Sequence, residues 1–291
     1  MKRMFLFFLF YGFVSLTIMS GEVGSNIHEI MPTSIISTSE KLFYPTQDTY
    51  RDFNYQTIII GVDIAPVNGS GSTCHVPFAT QLAAFFKNWG CFSKGSVTVL
   101  KGSQATKQQI KKTIINLHLG PKDVLIIYYG GHGDLQGIIS GDRINKKISP
   151  AELSEWTEQS GAGFKVLLVS ACYSGIFARH EEIGSGFQRP GFAVITNGEE
   201  GGTSTYTSEG IGFGPYLWKL LNMKQEKGNK VITLGEFKNF IKQENEYWEK
   251  EDARLRQEGS TEQNHYRDES DAHRLNNGRN FGPEDLVIFW N

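Results

Sequence analysis

Apolar runs of strand length alternate along the chain with longer stretches whose apolar residues recur at helical spacing. The runs are rich in Val, Ile and Leu without a polar break, which is typical of strands buried on both faces of a parallel sheet. Three of the intervening helices open with capping boxes, Thr106-x-x-Gln109, Ser149-x-x-Glu152 and Thr233-x-x-Glu236. Strands are predicted at Tyr55–Asp63, Ser96–Leu100, Val124–Tyr129, Val166–Val169, Phe192–Thr196 and Leu286–Trp290.

This alternation predicts an α/β fold with a doubly wound, mostly parallel sheet of about six strands and helices on both faces. The stretch Leu135–Asn145 is interpreted as a loop or small hairpin, and the polar tract Gly259–Gly282 is expected to be mobile. Helices are predicted over His75–Gly90, from Thr106 to Gly120, from Ser149 to Gln159, over Phe213–Lys224 and from Thr233 to Glu258.

The N-terminus differs from the rest of the chain. A basic start, Met1-Lys2-Arg3, precedes an apolar segment, Met4–Met19, that is shorter than the ~20 residues a membrane-spanning helix needs. Residues 1–20 are therefore predicted to be a cleaved signal peptide of a secreted protein, with an uncleaved signal anchor as the alternative. Residues 21–54 are interpreted as a leader or pro-segment and residues 55–291 as one domain.

The hydrophobic fraction and the net charge of the chain limit the kinds of core and of binding partner that are expected. The chain is 39% hydrophobic, enough for one sizeable core or two small ones. Its formal net charge of -2 gives no reason to expect nucleic acid or an anionic membrane surface. If the signal is cleaved, no stable membrane anchor is expected. Nothing in the sequence indicates an oligomeric state.

The three cysteines are Cys74, Cys91 and Cys172. A secreted chain favours disulfides. However, a helix over His75–Gly90 would hold Cys74 and Cys91 about 24 Å apart, whereas a disulfide needs Cα atoms within ~7 Å. A disulfide-free fold is predicted.

Two residues with catalytic chemistry follow consecutive predicted core strands. His132 lies in Gly130-Gly131-His132-Gly133 after the third strand, and Cys172 follows the fourth. Sites in open α/β sheets form outside the carboxyl ends of strands, and neighbouring strands lie ~4.8 Å apart. A histidine there raises the thiolate fraction of a cysteine and acts as a general acid.

The glycines beside His132 suit the same chemistry. Acyl transfer needs backbone N–H groups aimed at the developing oxyanion, and Gly133 has no side chain to block a substrate. The N–H groups of Gly133 and Cys172 are the predicted donors.

The sequences Tyr128–Gly133 and Ser170–Gly175 resemble the two catalytic motifs of caspase-like cysteine peptidases, the group of caspases, metacaspases, paracaspases and legumain. The form Cys-Tyr-Ser-Gly is most similar to metacaspases. The resemblance, which spans about Tyr55 to Trp290, implies peptide-bond hydrolysis through a Cys–His dyad and a thioester acyl-enzyme. It implies Cys172 as nucleophile, His132 as acid/base, and a peptide or protein as substrate.

The chain departs from metacaspases at the substrate pocket. Ser170 stands two residues before the cysteine, where metacaspases carry an Asp that binds a basic substrate side chain. Acidic replacements are sought in Asp63, at the exit of the first strand, and in Glu199, after the fifth. Asp63, Ser170 and Glu199 are therefore the candidate substrate-binding residues.

Other functions have less support. The departures leave open a catalytically inactive caspase-fold protein that binds or regulates a partner. An α/β-hydrolase esterase would need the Gly-x-Ser-x-Gly nucleophile elbow, which does not occur in the chain. No Cys or His pair has zinc-ligand spacing, so no metal site and no cofactor are predicted, and activation by calcium is not readable from the sequence.

Overall fold

The computed structural model describes residues 44–63, 75–87, 89–92, 97–142, 146–178, 187, 189–198, 206–207, 210–211, 214–228, 231–258 and 280–290. All of these belong to one compact unit, Lys41–Asn291. The predicted signal peptide, Cys74 and Glu199 lie outside the described residues.

The elements follow one another as the hydrophobic pattern predicts. In chain order they are β1 (Asn54–Gly61), α1 (His75–Phe86), β2 (Val97–Lys101), α2 (Lys107–Ile115), β3 (Asp123–Gly130), β4 (Gly133–Asp134), β5 (Gly137–Ile139), β6 (Lys147–Ile148), α3 (Pro150–Gln159), β7 (Phe164–Ser170), β8 (Phe192–Thr196), β9 (Tyr206–Thr207), β10 (Gly210–Ile211), α4 (Gly214–Glu226), β11 (Val231–Thr233), α5 (Leu234–Gln257), β12 (Asn280–Phe281) and β13 (Val287–Trp290).

The main sheet has six strands in the order β12-β8-β7-β3-β1-β2. Five of them are parallel, and β12 joins β8 antiparallel at the edge. Two of the three predicted capping boxes are formed in full, by Ser149 with Glu152 and by Thr233 with Glu236. At the start of α2 the Thr106 side chain accepts the Gln109 N–H, which is half of the predicted box. The predicted class, a mostly parallel α/β sheet of about six strands, is confirmed.

Two apolar cores lie on opposite faces of the sheet. Along β3, Val124, Ile126 and Tyr128 face one core and the alternate residues face the other, because successive side chains of a strand point to opposite faces. Helices α1, α4 and α5 contribute to the first core, and α2 and α3 to the second. The prediction of helices on both faces is therefore confirmed.

The C-terminal strands differ from the prediction. The predicted last strand, Leu286–Trp290, forms β13, but it pairs antiparallel with β11 outside the main sheet. The sixth main-sheet strand is instead Asn280–Phe281, inside the tract predicted to be mobile. A strand of two residues is too short to show a periodicity in the sequence, and only its pairing with β8 defines it. The stretch Leu135–Asn145 contributes to a three-stranded hairpin sheet, β4-β5-β6.

The end of the predicted leader packs against the domain. The Tyr44 and Phe164 rings lie 5.8 Å apart, and the Val287 N–H donates to the Pro45 carbonyl at 2.7 Å. The Tyr50 ring lies 5.3 Å from Trp290, and Phe53 is 3% exposed. Residues 44–53 are thus held to the domain upstream of β1.

Removal of residues 44–53 is expected to destabilise the domain strongly. Burying a large apolar side chain contributes about 1.5–3 kcal/mol, so losing Tyr50 and Phe53 together lowers the free energy of unfolding by about 3 kcal/mol or more. Urea unfolding of the protein lacking residues 1–53, compared with the protein lacking residues 1–43, measures this difference. Equal unfolding midpoints for the two would contradict the packing described.

Cys91 is buried and carries a free thiol, as predicted. Burial raises its pKa to about 12, so the thiol is unreactive at neutral pH. Among the described residues, none of the helices is both long enough and apolar enough to cross a bilayer.

Candidate active site

The ladder register brings three chain segments together at the carboxyl edge of the sheet. Gly61 on β1 pairs with Gly130 on β3, and Gly130 pairs in turn with Ser170 on β7. The residues two positions beyond these three are Asp63, His132 and Cys172. Because adjacent parallel strands lie ~4.8 Å apart, these residues follow one another across the sheet edge, with His132 in the middle.

The chain segments carrying His132 and Cys172 remain in contact beyond the strands. The Gly131 N–H donates to the Ser170 carbonyl at 3.1 Å. A Cβ placed on Gly133 would lie 2.5 Å from the Cys172 carbonyl oxygen and 3.2 Å from the Ala171 Cβ. Only glycine permits this approach, so the Gly133 backbone lies directly against that of Cys172.

Cys172 lies in a tight turn, Ala171–Ser174, closed by the Ser174 N–H donating to the Ala171 carbonyl at 3.4 Å. Tyr173 has φ 56°, a left-handed backbone conformation that non-glycine residues rarely adopt. A non-glycine residue there is strained, and such strain is typical of functional sites. Cys172 is partly exposed, as a nucleophile needs to be.

A buried tyrosine fixes the loop that carries His132. The Tyr129 hydroxyl lies 2.8 Å from the His132 carbonyl and 2.7 Å from the Ile139 carbonyl, and the Ile139 N–H donates to the His132 carbonyl at 2.9 Å. A Cβ on Gly131 would collide with the Tyr129 ring. The Tyr129 ring therefore leaves space only for a glycine at position 131, directly before the histidine.

Asp63 caps the N-terminus of α1. Its Oδ1 accepts the His75 N–H at 2.8 Å, and its Oδ2 accepts the Val76 N–H at 3.2 Å. Burial raises the pKa of Asp63, while these hydrogen bonds and the nearby His132 act in the opposite direction. The carboxylate therefore caps the helix and also interacts electrostatically with His132.

The pKa of His132 reflects two opposed effects. Partial burial lowers it below the ordinary histidine value, and the Asp63 charge raises it. Burial is the larger effect, so the pKa of His132 lies below the ordinary histidine value and the neutral imidazole, the form that accepts a proton, is favoured.

His75 is a site neighbour that the sequence interpretation did not select. Its ring is 2% exposed and packs edge-on against His132, with 5.7 Å between centroids and 64° between planes. Burial lowers its pKa to about 3, so the ring stays neutral and adds no charge beside His132. The Gly61 and Gly130 pair leaves room for this start of α1, since a Cβ on Gly61 would lie 2.7 Å from the His75 carbonyl.

Asp63→Asn is expected to lower the pKa of His132, because the carboxylate is the group that raises it. The Asn side chain still accepts one helix N–H, so the α1 cap is retained in part. NMR titration of the His132 imidazole measures the change. Asp134→Asn is the matched control, since Asp134 pairs with Lys147 in the neighbouring hairpin. An unchanged His132 titration in Asp63→Asn would contradict the assigned interaction.

The structure describes two of the three residues that were predicted to bind a substrate side chain. Ser170 is fully buried at the end of β7, where its carbonyl accepts from Gly131. Asp63 adjoins His132, as described above. Glu199 lies outside the described residues.

Asn197 is a further residue that sequence reasoning passed over. It follows β8, is 1% exposed, and its Oδ1 accepts the Ala171 N–H at 2.9 Å. An Asn-Gly pair at a strand end suggests only a turn, so no sequence signal distinguished it. Within the part of the chain that is described, no group of three His, Cys, Asp or Glu residues has metal-site geometry.

A comparison of the chain with known protein families gives one match, and it covers the candidate active site. The model of the Peptidase C13 family matches residues 87–185, a stretch that contains both His132 and Cys172. The search of curated proteins gives no match. The family match covers 99 of the chain's 291 residues, and both the Gly-Gly-His-Gly and the Ala-Cys-Tyr-Ser-Gly sequences lie within it.

Solved structures with similarity to the chain include protein GSU0716 from Geobacter sulfurreducens, at 14% identity and TM-score 0.47, covering 64% of this chain and 87% of that one. Caspase-1 from Spodoptera frugiperda has 16% identity and TM-score 0.47, covering 65% and 75%. The structure of pro-sf-caspase-1 has 16% identity and TM-score 0.41, covering 59% and 71%. The similarity to metacaspases stays a prediction from the Cys-Tyr-Ser-Gly sequence.

Proposed function

We propose that the protein is a secreted cysteine endopeptidase that hydrolyses peptide bonds through Cys172 and His132. The observation that carries this proposal is the register: Gly130 and Ser170 pair across β3 and β7, and the histidine and cysteine each lie two residues further on. The Peptidase C13 match over the same stretch supports it.

In the first step, the Cys172 thiolate attacks the carbonyl carbon of the substrate. An S–C bond forms, and the carbonyl electron pair moves to oxygen. The N–H groups of Gly133 and Cys172 stabilise this oxyanion, since their backbones lie in direct contact. His132 then gives its proton to the leaving nitrogen, the C–N bond breaks, and a thioester remains.

In the second step, water attacks the thioester while His132 accepts a proton from it. The S–C bond breaks, the acid product leaves, and the thiolate and protonated imidazole are restored. Asp63, whose charge raises the pKa of His132, stabilises the protonated imidazole in both steps. This assigns Asp63 a role toward His132, and its role in binding a substrate side chain stays a prediction from the sequence.

Secretion is part of the proposal and rests on the sequence of residues 1–20, with its basic start and short apolar segment. N-terminal sequencing of the protein recovered from culture medium tests it. A mature N-terminus between Ser20 and Tyr44 is expected. Protein retained in membranes with residue 1 intact would favour the uncleaved anchor.

A positional-scanning peptide library tests the activity itself. Wild-type protein is expected to cleave peptides with one preferred residue before the scissile bond, and Cys172→Ala is expected to cleave none. Ser160→Ala, which alters a buried serine in the α3 terminus, is the matched control and is expected to keep activity. Absence of cleavage by the wild-type protein across the library would favour the inactive binding protein instead.

A further inference from the structure

We propose that Asn197 is a positioning residue for the nucleophile, clamping the turn that presents Cys172. This inference rests on the proposed function of Cys172. It concerns the Ala171–Ser174 turn and the start of the loop after β8, two segments that adjoin because β7 and β8 are neighbours in the sheet.

The Asn197 side chain holds both ends of the turn. Its Oδ1 accepts the Ala171 N–H at 2.9 Å and the Ser174 hydroxyl at 3.1 Å. The Ser174 oxygen in turn accepts the Gly198 N–H at 2.8 Å. Cys172 and Tyr173 lie between these two fixed points.

The hydrogen bonds of Asn197 hold the turn in its strained backbone conformation. Tyr173 has φ 56°, which a tyrosine does not adopt without support from its surroundings. Asn197 and Ser174 are each 1% exposed, so water does not compete for their hydrogen bonds. Without the Asn197 acceptor, the Ala171 N–H would be buried without its side-chain partner and the turn would be free to relax.

The loop after β8 is fitted closely to the turn. The Asn197 N–H donates to the Val169 carbonyl at 3.2 Å, which continues the β7–β8 ladder. A Cβ on Gly198 would lie 3.0 Å from the Ala171 carbonyl oxygen and 3.2 Å from the Ser174 Oγ. The position of Asn197 is therefore set by the sheet, and the position of Cys172 is set through Asn197.

The two anchors of the turn, Asn197 and Ser174, can be removed one at a time. The Asn197 Nδ2 is buried and makes no hydrogen bond within the described part of the chain, so the hydrogen bonds of this side chain to the turn are made by Oδ1. Variants that remove an acceptor or an anchor are therefore compared with a matched control. Asn197→Ala removes the acceptor, and Ser174→Ala removes the second anchor. Ser160→Ala again serves as the control for loss of a buried hydroxyl.

Hydrogen exchange of the segment Ser170–Ala178 tests the clamp without reference to peptidase activity. Asn197→Ala and Ser174→Ala are expected to increase exchange there by about tenfold or more, because buried hydrogen bonds are lost. The control Ser160→Ala should stay near wild type. Wild-type exchange in both Asn197→Ala and Ser174→Ala would overturn the clamp, and if one variant fails to fold, the other decides.

The rate of Cys172 labelling separates positioning from mere stability. A peptidyl electrophilic inhibitor needs the aligned turn, whereas iodoacetamide needs only an accessible thiol. Asn197→Ala is expected to slow the inhibitor about tenfold or more while iodoacetamide changes little. Equal slowing of both reagents would overturn the positioning role. If no peptidyl inhibitor labels the wild type while exchange still rises in Asn197→Ala, the clamp stands and the proposed function fails.

Discussion

His132→Ala is expected to lower kcat/KM for the best library peptide by about 10²–10⁴-fold, the usual contribution of a positioned general acid/base. The imidazole lies between Asp63 and Cys172 in the ladder register, and no other titratable side chain follows β3 as closely. His118→Asn is the matched control, because His118 is an exposed histidine with φ 48°, a conformation that Asn tolerates.

If His132 were not the general acid/base, the loss of kcat/KM in His132→Ala would be smaller. If His132→Ala kept more than about a tenth of wild-type kcat/KM, general acid/base catalysis by this residue would be contradicted. The alkylation of Cys172 by iodoacetamide in the same variant shows whether the thiol stays accessible. We expect it to stay accessible, since the turn of Cys172 is held from the β8 side.

Gly133→Ala is expected to lower kcat by about 100-fold, with the fold retained. The added Cβ would lie 2.5 Å from the Cys172 carbonyl oxygen, a contact with backbone that no side-chain rotation relieves. The two loops must move apart, and a displacement of about 1 Å at the reacting atoms costs a factor of that size. Steady-state kinetics with the same peptide measures the loss.

Gly120→Ala is the control for Gly133→Ala. Its added Cβ would meet only the Asp123 Oδ2, at an ordinary distance of 3.7 Å, at the other end of β3. Wild-type kinetics are expected in that variant. Full activity in Gly133→Ala would show that the two backbones need not touch, and the assignment of the Gly133 N–H to the oxyanion would fail.

Much of the fold follows from local sequence. The apolar run of β3 and the two capping boxes each involve only residues that are close together in the chain. Strand propensity and helix capping depend on those same few residues. The pairing of β13 with β11, and of β12 with β8, joins segments far apart in sequence. A two-residue strand such as β12 has no periodicity of its own to indicate it.

The residues of the site likewise divide into those that local sequence predicts and those that only the tertiary structure brings there. His132 and Cys172 are predictable because each directly follows a core strand and is surrounded by small residues, a local pattern. The role of Asp63 depends on the register of β1 with β3, and a register is a tertiary property. His75 and Asn197 reach the site only through the packing of α1 and the adjacency of β8, so their sequence neighbours carry no sign of it.

Peptidyl acyloxymethyl ketone labelling followed by intact-mass and peptide analysis tests the central claim most directly. With one equivalent of the inhibitor whose peptide matches the library preference, the wild-type protein is expected to gain one adduct, located on Cys172. Cys172→Ala should gain none, and His132→Ala should react far more slowly. An adduct on another residue, or no adduct on wild-type protein that cleaves peptides, would contradict Cys172 as the nucleophile.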